Sequence, residues 1–292
     1  MLADVTDSLA CPHCERPLSL GYRTVTCAAG HTFDVARQGY VNLLGGGAHT
    51  GTADTPGMVA ARWSFLATGA FTPLAEQVAA DVARGAAGVS GAILDVGAGT
   101  GYYLAHVLEA LPDRSGLALD VSKHAAQYAA RAHARIGVAV CDAWGRLPVR
   151  DGVAAVAMIV FAPRNATEVA RVLAPGGALV VAVPTTAHLA ELVERLGLVT
   201  VDAQKERRLA ETLEGHFERE SAEPVEMPLS LSHGQVLDLV AMGPSARHLD
   251  EDVLRSRVDA LGEPVETALS AVVSVWRRHP LPPSQAPPGT GG

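Results

Sequence analysis

The 292-residue sequence predicts an α/β fold in which a mostly parallel sheet is covered by helices on both faces, preceded by a small metal-stabilised module. Three observations lead there. Short apolar runs alternate with helical patterns between residues 92 and 183. The first of those runs closes on a Gly-rich turn, Asp95-Val96-Gly97-Ala98-Gly99-Thr100-Gly101, and three of the four cysteines fall within the first 27 residues. Alternation of strand and helix implies right-handed crossovers and a parallel sheet buried on both sides.

Taken in order, residues 1–45 form a Cys- and His-bearing segment closed by Gly45-Gly46-Gly47, which reads as a compact module. Residues 46–84 start as a polar linker and continue as two helices. Met58, Ala61, Phe65 and Leu66 give one apolar face, and Leu74, Val78 and Val82 give a second after a break at 69–73. The main domain spans 85–280. Its expected strands are 93–96, 116–121, 138–141, 154–160 and 178–183, with helices at 102–111, 123–134, 168–173 and 187–196 between and after them. Two late strands, 225–231 and 271–276, suit an antiparallel pair. Residues 281–292 are Pro- and Gly-rich and are expected to be disordered.

Composition narrows the class. A hydrophobic content of 48% supplies a large core, and no apolar run approaches the roughly 18 residues needed to span a bilayer. No secretory signal opens the chain, so a cytoplasmic location is expected, where structural disulfides are rare. The net charge of -8 gives no general basic excess for nucleic acid, so any RNA contact must use a local patch. Lysine occurs only at Lys123 and Lys205, and the other basic residues are arginines, which suits bidentate contacts and equally a GC-rich genome.

A strand ending in Asp95, followed by Gly97, Gly99 and Gly101 and then a helix, places bare backbone at the carboxyl edge of the sheet, where doubly wound folds bind ligands. Dinucleotide folds space their glycines G-x-G-x-x-G to seat a pyrophosphate; here the spacing is G-x-G-x-G with a carboxylate just ahead. That arrangement suits S-adenosylmethionine, which has no phosphate and whose ammonium group matches Asp95. Asp120 closes the second strand, where it can accept from both ribose hydroxyls. Asp142 follows the third, placed for the adenine amino group, with Trp144 available to stack on the ring. With Pro175-Gly176-Gly177 before the fifth strand, the set resembles the seven-stranded class I methyltransferases, in which a late antiparallel hairpin edges the sheet.

In that class the methyl acceptor sits beside the fourth strand's end, here Phe161-Ala162-Pro163-Arg164-Asn165. Members acting on exocyclic amines of adenine or cytosine place Asn-Pro-Pro-Tyr or a close variant there. The first Asn is absent, which points to a ring nitrogen or another nucleophile. Arg164 is the candidate catalytic residue, steadying charge that develops on the acceptor or binding a flanking phosphate.

Cys11, Cys14, Cys27 and His31 make a C-x2-C-x12-C-x3-H pattern, a spacing that closes a tetrahedral zinc site from two knuckles. His13 is an alternative fourth ligand. A module of some 40 residues with little core needs the metal to fold. Around it, Arg16, Arg23 and Arg37 with Tyr22, Phe33 and Tyr40 form either a basic, aromatic RNA surface or, in part, a mini-core; Phe33 suits the core.

The zinc pattern runs into Gly30-His31-Thr32-Phe33-Asp34 and on to Gly39-Tyr40-Val41-Asn42-Leu43-Leu44. Together with the Asp95 turn and Phe161-Ala162-Pro163-Arg164, this resembles the bacterial 23S rRNA guanine-N1 methyltransferases, across residues 10 to 280. The branch it most resembles is that of macrolide producers. The resemblance implies methylation of a hairpin-loop guanine near the peptide exit tunnel and resistance to tylosin- or mycinamicin-type antibiotics. It also implies cofactor contacts at Gly99, Thr100, His188 and Phe71, where the family often has Tyr, and a homodimer with a joint RNA cleft. Two other functions fit the residues: a small-molecule methyltransferase of an antibiotic pathway, and a non-catalytic RNA-binding protein.

Overall fold

The computed structural model describes residues 1–45, 47, 51 and 53–279. The tail expected to be disordered, and most of the polar linker at 46–52, lie outside the described residues. Five parallel strands form the centre: β5 (Ala92–Val96), β6 (Gly116–Asp120), β7 (Ile136–Val140), β8 (Ala154–Val160) and β9 (Leu173–Pro184). Before them come β1 (Leu18–Leu20), β2 (Thr24–Cys27), β3 (Thr32–Asp34) and β4 (Tyr40–Asn42), and after them β10 (Phe217–Leu231) and β11 (Val265–Arg278). The main sheet has the order β10-β11-β9-β8-β5-β6-β7-β4, with β11 antiparallel to both β9 and β10. The late hairpin is therefore present and longer than its apolar cores at 225–231 and 271–276 suggested.

Helices α1 (Pro56–Ala67), α2 (Thr72–Ala86), α3 (Tyr102–Ala110), α4 (Lys123–Ala132) and α5 (Ala166–Val172) lie where the sequence pattern put them. Their starts have local causes. Thr55 accepts from the Met58 amide ahead of Pro56, Ser122 accepts from Ala125, and Asn165 accepts from Glu168, each satisfying an orphan donor of the first turn. The helix expected at 187–196 is shorter: α6 begins at Ala190 and ends at Leu196. The amide of Leu189 is held by the carbonyl of Ala268 and its φ is 55°, so residues 185–189 turn instead of coiling. Three helices were not anticipated: α7 (Lys205–Leu213), α8 (His233–Ala241) and α9 (Glu251–Asp259).

Side chains alternate across the sheet into two cores. Ile93, Val156 and Met158 face one, which also takes α1, α2 and α3; Leu94, Ala157 and Ile159 face the other. The amino-terminal segment belongs to the second core through Leu9, Leu18 and Val25, each essentially fully buried and each stabilising by about 1.5–3 kcal/mol. Gly137 admits it: a Cβ there would lie 2.2 Å from Val5. The boundary drawn at residue 45 thus follows a strand, β4, that pairs in parallel with β7 and extends the expected seven-stranded sheet to eight.

Candidate active site and zinc centre

At the carboxyl ends of β5 to β9 the chain encloses a cavity of about 790 Å³. The Gly-rich turn forms its floor. Gly97 and Gly101 both have φ 78°, and a Cβ on Gly97 would lie 2.4 Å from that of Ala162, while one on Gly101 would meet Ala129 at 3.0 Å. These two glycines allow close packing against Ala162 and α4, and Gly97 lines the cavity together with Gly99, Thr100 and Asp95. Asp120 fixes the turn: Oδ2 accepts the Gly99 amide at 2.8 Å and Oδ1 the Ser122 amide at 2.8 Å. Each oxygen keeps a second lone pair for a ribose hydroxyl.

Asp95 is buried, and burial together with the neighbouring Asp120 pushes its carboxyl up to about 8. A cationic ligand would restore the ionised form. Asp142 accepts the Trp144 amide at 2.9 Å, and the Trp144 ring stands at the cavity rim, 55% exposed. Asn165 donates to the Trp144 carbonyl at 3.0 Å while capping α5, so the rim loop is tied to the acceptor motif.

Phe71 is buried, with its ring edge-on to Phe65 at 5.0 Å and to His188 at 6.2 Å. The Ser270 amide donates to His188 Nδ1 at 3.2 Å, which leaves the ring proton on Nε2. Burial, with Lys205 adding to it, lowers this imidazole to about 4, so it is a neutral donor at physiological pH.

The other end of the cavity differs. Phe161 ends β8 in the left-handed region, φ 54°, at a cost of about 1–3 kcal/mol, with its ring 5.7 Å from His188. Burial lowers the Arg164 pKa, and no carboxylate among the described residues opposes it. Burial and then Arg164 lower that of Lys205. A roof covers both ends. Arg62 of α1 pairs with Asp54 and donates to the Met242 carbonyl at 2.8 Å, Ser122 donates to the Asp54 carbonyl at 2.9 Å, and Ser64 donates to Asp238 of α8 at 2.5 Å. The sequence pattern gave no sign of Asp54, Arg62 or Lys205 as cavity residues, because their partners lie far away along the chain. The rarity of lysine was the single hint.

Cys11, Cys14, Cys27 and His31 converge, with all four ligand atoms within 4.8 Å of one another. Cys11 Sγ to His31 Nδ1 is 3.5 Å, Cys27 Sγ to His31 Nδ1 is 3.4 Å, and Cys14 Sγ to Cys27 Sγ is 3.6 Å. Tetrahedral zinc at ordinary bond lengths needs edges of roughly 3.5–3.8 Å, so the donor set fits the ion. Although desolvation works to raise the Cys27 thiol, the amides of Ala29 and His31 hold it down at about 6. His13 is not the fourth ligand; its ring stacks on Phe33 at 5.7 Å. Glu15, one residue past the first knuckle, bonds Arg146 at 2.9 Å, joining the zinc centre to the loop that carries Trp144.

Comparison with known proteins agrees with both halves. The zinc-ribbon family described as "RlmA, N-terminal" matches residues 9–46, and a "Methyltransferase domain" family matches residues 93–177. A 23S rRNA (guanine(748)-N(1))-methyltransferase of Streptomyces fradiae is 50% identical over 283 residues, covering 97% of this chain and 100% of that protein. The chain belongs to the 23S rRNA (guanine-N1)-methyltransferase family. A provisionally named 23S rRNA guanine-N(1) enzyme of Micromonospora griseorubida is 48% identical and covers 96% of this chain and 100% of its own length. Among solved structures, the [4+2]-cyclase SpnF aligns with a TM-score of 0.46 and 21% identity, over 70% of this chain and 80% of that one. The methyltransferase domain makes S-adenosylmethionine the cofactor of this family member, and the zinc ribbon with its Cys3His cluster makes Zn2+ its metal. No helix among the described residues is long and apolar enough to cross a membrane.

Proposed function

We propose that this protein methylates N1 of a guanine in a 23S rRNA hairpin loop near the peptide exit tunnel, acting in the cytoplasm and protecting the cell from tylosin- or mycinamicin-type macrolides. The observation that carries this is near-full-length identity of 50% to an enzyme named for that reaction, extending through zinc ribbon and cavity alike. We divide the work as residues 1–45 for RNA recognition, 46–84 as linker and roof, and 85–280 for methyl transfer, with a homodimer joining two RNA surfaces into one cleft.

S-adenosylmethionine supplies an electrophilic methyl group on its sulfonium. Asp95 takes the ammonium group, Asp120 the ribose hydroxyls and Asp142 the adenine amino group, with Trp144 on the ring; Gly97, Gly99, Thr100 and Gly101 shape the seat. Phe71 packs against the cofactor, and the neutral His188 donates from Nε2. The target guanine must leave its stack to enter the cavity. Loss of the N1 proton to water would leave negative charge shared by N1 and O6, which Arg164 meets; the N1 lone pair then takes the methyl group as the C–S bond breaks, leaving S-adenosylhomocysteine.

Radiolabelled S-adenosylmethionine incubated with unmodified 23S RNA should place label at N1 of one loop guanine. Label on a macrolide instead would make the enzyme a small-molecule methyltransferase, and no label on either would make it non-catalytic. Arg164→Ala should slow single-turnover chemistry at least tenfold with cofactor affinity unchanged; unchanged chemistry would remove Arg164 from catalysis.

A further inference from the structure

The cavity has a charge gradient along its length. Its cofactor end carries Asp95, Asp120 and Asp142, with Arg62 and Arg247 there paired to Asp54, whereas its acceptor end carries Arg164 and Lys205 beside the Arg208–Asp202 pair. The two cations are close enough that Arg164 lowers the Lys205 pKa, and Lys205 in turn lowers that of His188. The acidic group acting on Lys205 is Asp202, which already bonds the Arg208 guanidinium at 2.6 Å and the Gln204 amide at 2.9 Å. Two half-buried like charges near one another, of which Lys205 alone has a carboxylate acting on it, lower the stability of the empty protein, and an anion beside Lys205 relieves it.

Between the two ends, the Phe161 ring beside His188 offers a flat surface to a base. A base resting there shares the cavity with Lys205, which acts on the adjoining His188, so a phosphate attached to that base has a cation within the same cavity.

From this geometry we infer that Lys205, next to the Arg164 that meets O6, forms an anion subsite that takes the phosphodiester flanking the guanine to be methylated. Lys205 is thus a positioning residue, and the acceptor is recognised as a nucleotide within a strand. This rests on the methyl acceptor being RNA, as proposed above. A phosphate contact of this kind adds affinity and salt dependence without reading sequence.

The test is Lys205→Gln in the full-length zinc-loaded protein, with Lys205→Arg as control. KM for the 23S hairpin RNA should rise about tenfold in Lys205→Gln. At saturating RNA kcat should change little, and cofactor affinity should stay as in the wild type. The slope of log affinity against log salt should fall by about 0.7, and Lys205→Arg should restore most of the loss. Replacing the phosphate beside the labelled guanine with a neutral methylphosphonate should weaken wild-type binding by a similar factor and leave Lys205→Gln unaffected.

An unchanged KM and salt slope in Lys205→Gln would overturn the inference, as would an equal loss of cofactor affinity or full sensitivity of the variant to the methylphosphonate. Equilibrium binding of the hairpin to the protein loaded with S-adenosylhomocysteine keeps the two proposals separate. Lys205-dependent binding without methylation would sink the enzymatic assignment and leave the subsite standing.

Discussion

The two ends of the cavity were built by different means. At the cofactor end, three carboxylates sit at the ends of three consecutive strands: Ser122 of its own loop and Gly99 of the preceding one donate amides to Asp120, Trp144 donates to Asp142, and Asp120 lies beside Asp95. At the acceptor end, Phe161, Arg164, His188 and Lys205 come from the ends of β8 and β9 and the start of α7, and meet through packing alone. The first end repeats a local pattern, and the second exists only once the chain has folded. One consequence is that single changes should separate them: cofactor binding should fail at one end without RNA binding failing at the other.

The largest effect that would sharpen this contrast is Asp120→Ala. It removes a charged acceptor from two amides as well as the ribose contact, and each such bond is worth about 1.5–3 kcal/mol. S-adenosylmethionine affinity measured by calorimetry should fall about 100-fold or more, with hairpin RNA affinity close to wild type. Equal losses of both ligands would show that the two ends are one cooperative unit.

Zinc removal should have the opposite selectivity. Chelation frees the Cys11, Cys14, Cys27 and His31 cluster and, through Glu15 and Arg146, loosens the Trp144 loop. RNA methylation should drop at least tenfold and the melting temperature should fall, while the zinc-depleted protein that remains folded keeps its cofactor affinity within about threefold. Loss of cofactor binding at the same chelator concentration would place the zinc module in support of the donor end.

A smaller effect, graded by pH, belongs to Asp95. Below about 8 the ligand-free protein holds this carboxyl protonated, and the ammonium group of the cofactor needs it ionised. Binding therefore releases a proton and weakens as pH falls below about 8, by up to tenfold per unit. The same group lowers the stability of the ligand-free protein as pH rises from roughly 4, its ordinary value, to about 8, since unfolding lets it ionise. Asp95→Asn should flatten both dependences; an unchanged pH profile of cofactor affinity would take Asp95 away from the ammonium.

Trp144→Ala should have the least effect. With its ring 55% exposed at the rim, its loss should weaken S-adenosylmethionine about three- to tenfold, within the range of one stacked ring, and leave the fold intact. A change in RNA affinity alone would move Trp144 from the adenine to the acceptor strand.

Much of this was legible before any coordinates. Alternating apolar runs located β5 to β9, because a parallel strand buried on both faces must be apolar along its whole length, as the fully buried β8 shows. The C-x2-C and C-x3-H spacings located the zinc ligands, since each knuckle is a local turn. The helices at 205–213, 233–241 and 251–259 were not anticipated: each buries only two or three apolar residues, Leu209 and Leu213, Val236, Leu239 and Val240, and Leu254 and Val258, against cores made elsewhere. The roof was hidden for the same reason. Arg62 reads as an ordinary helix arginine until the fold brings Met242 to its guanidinium from 180 residues away.

The sequence by itself determined the layered fold and the metal cluster, because the apolar run of each strand and the turn of each Cys or His knuckle are local in the chain. Only the tertiary structure decided that the zinc module donates an edge strand to the main sheet, that His13 stacks instead of ligating, and that His188 is a neutral donor. It alone brought Lys205 and Arg164 into one cavity. Each of those outcomes is set by burial and by partners remote in sequence, and such contacts come into being only when the chain has closed on itself.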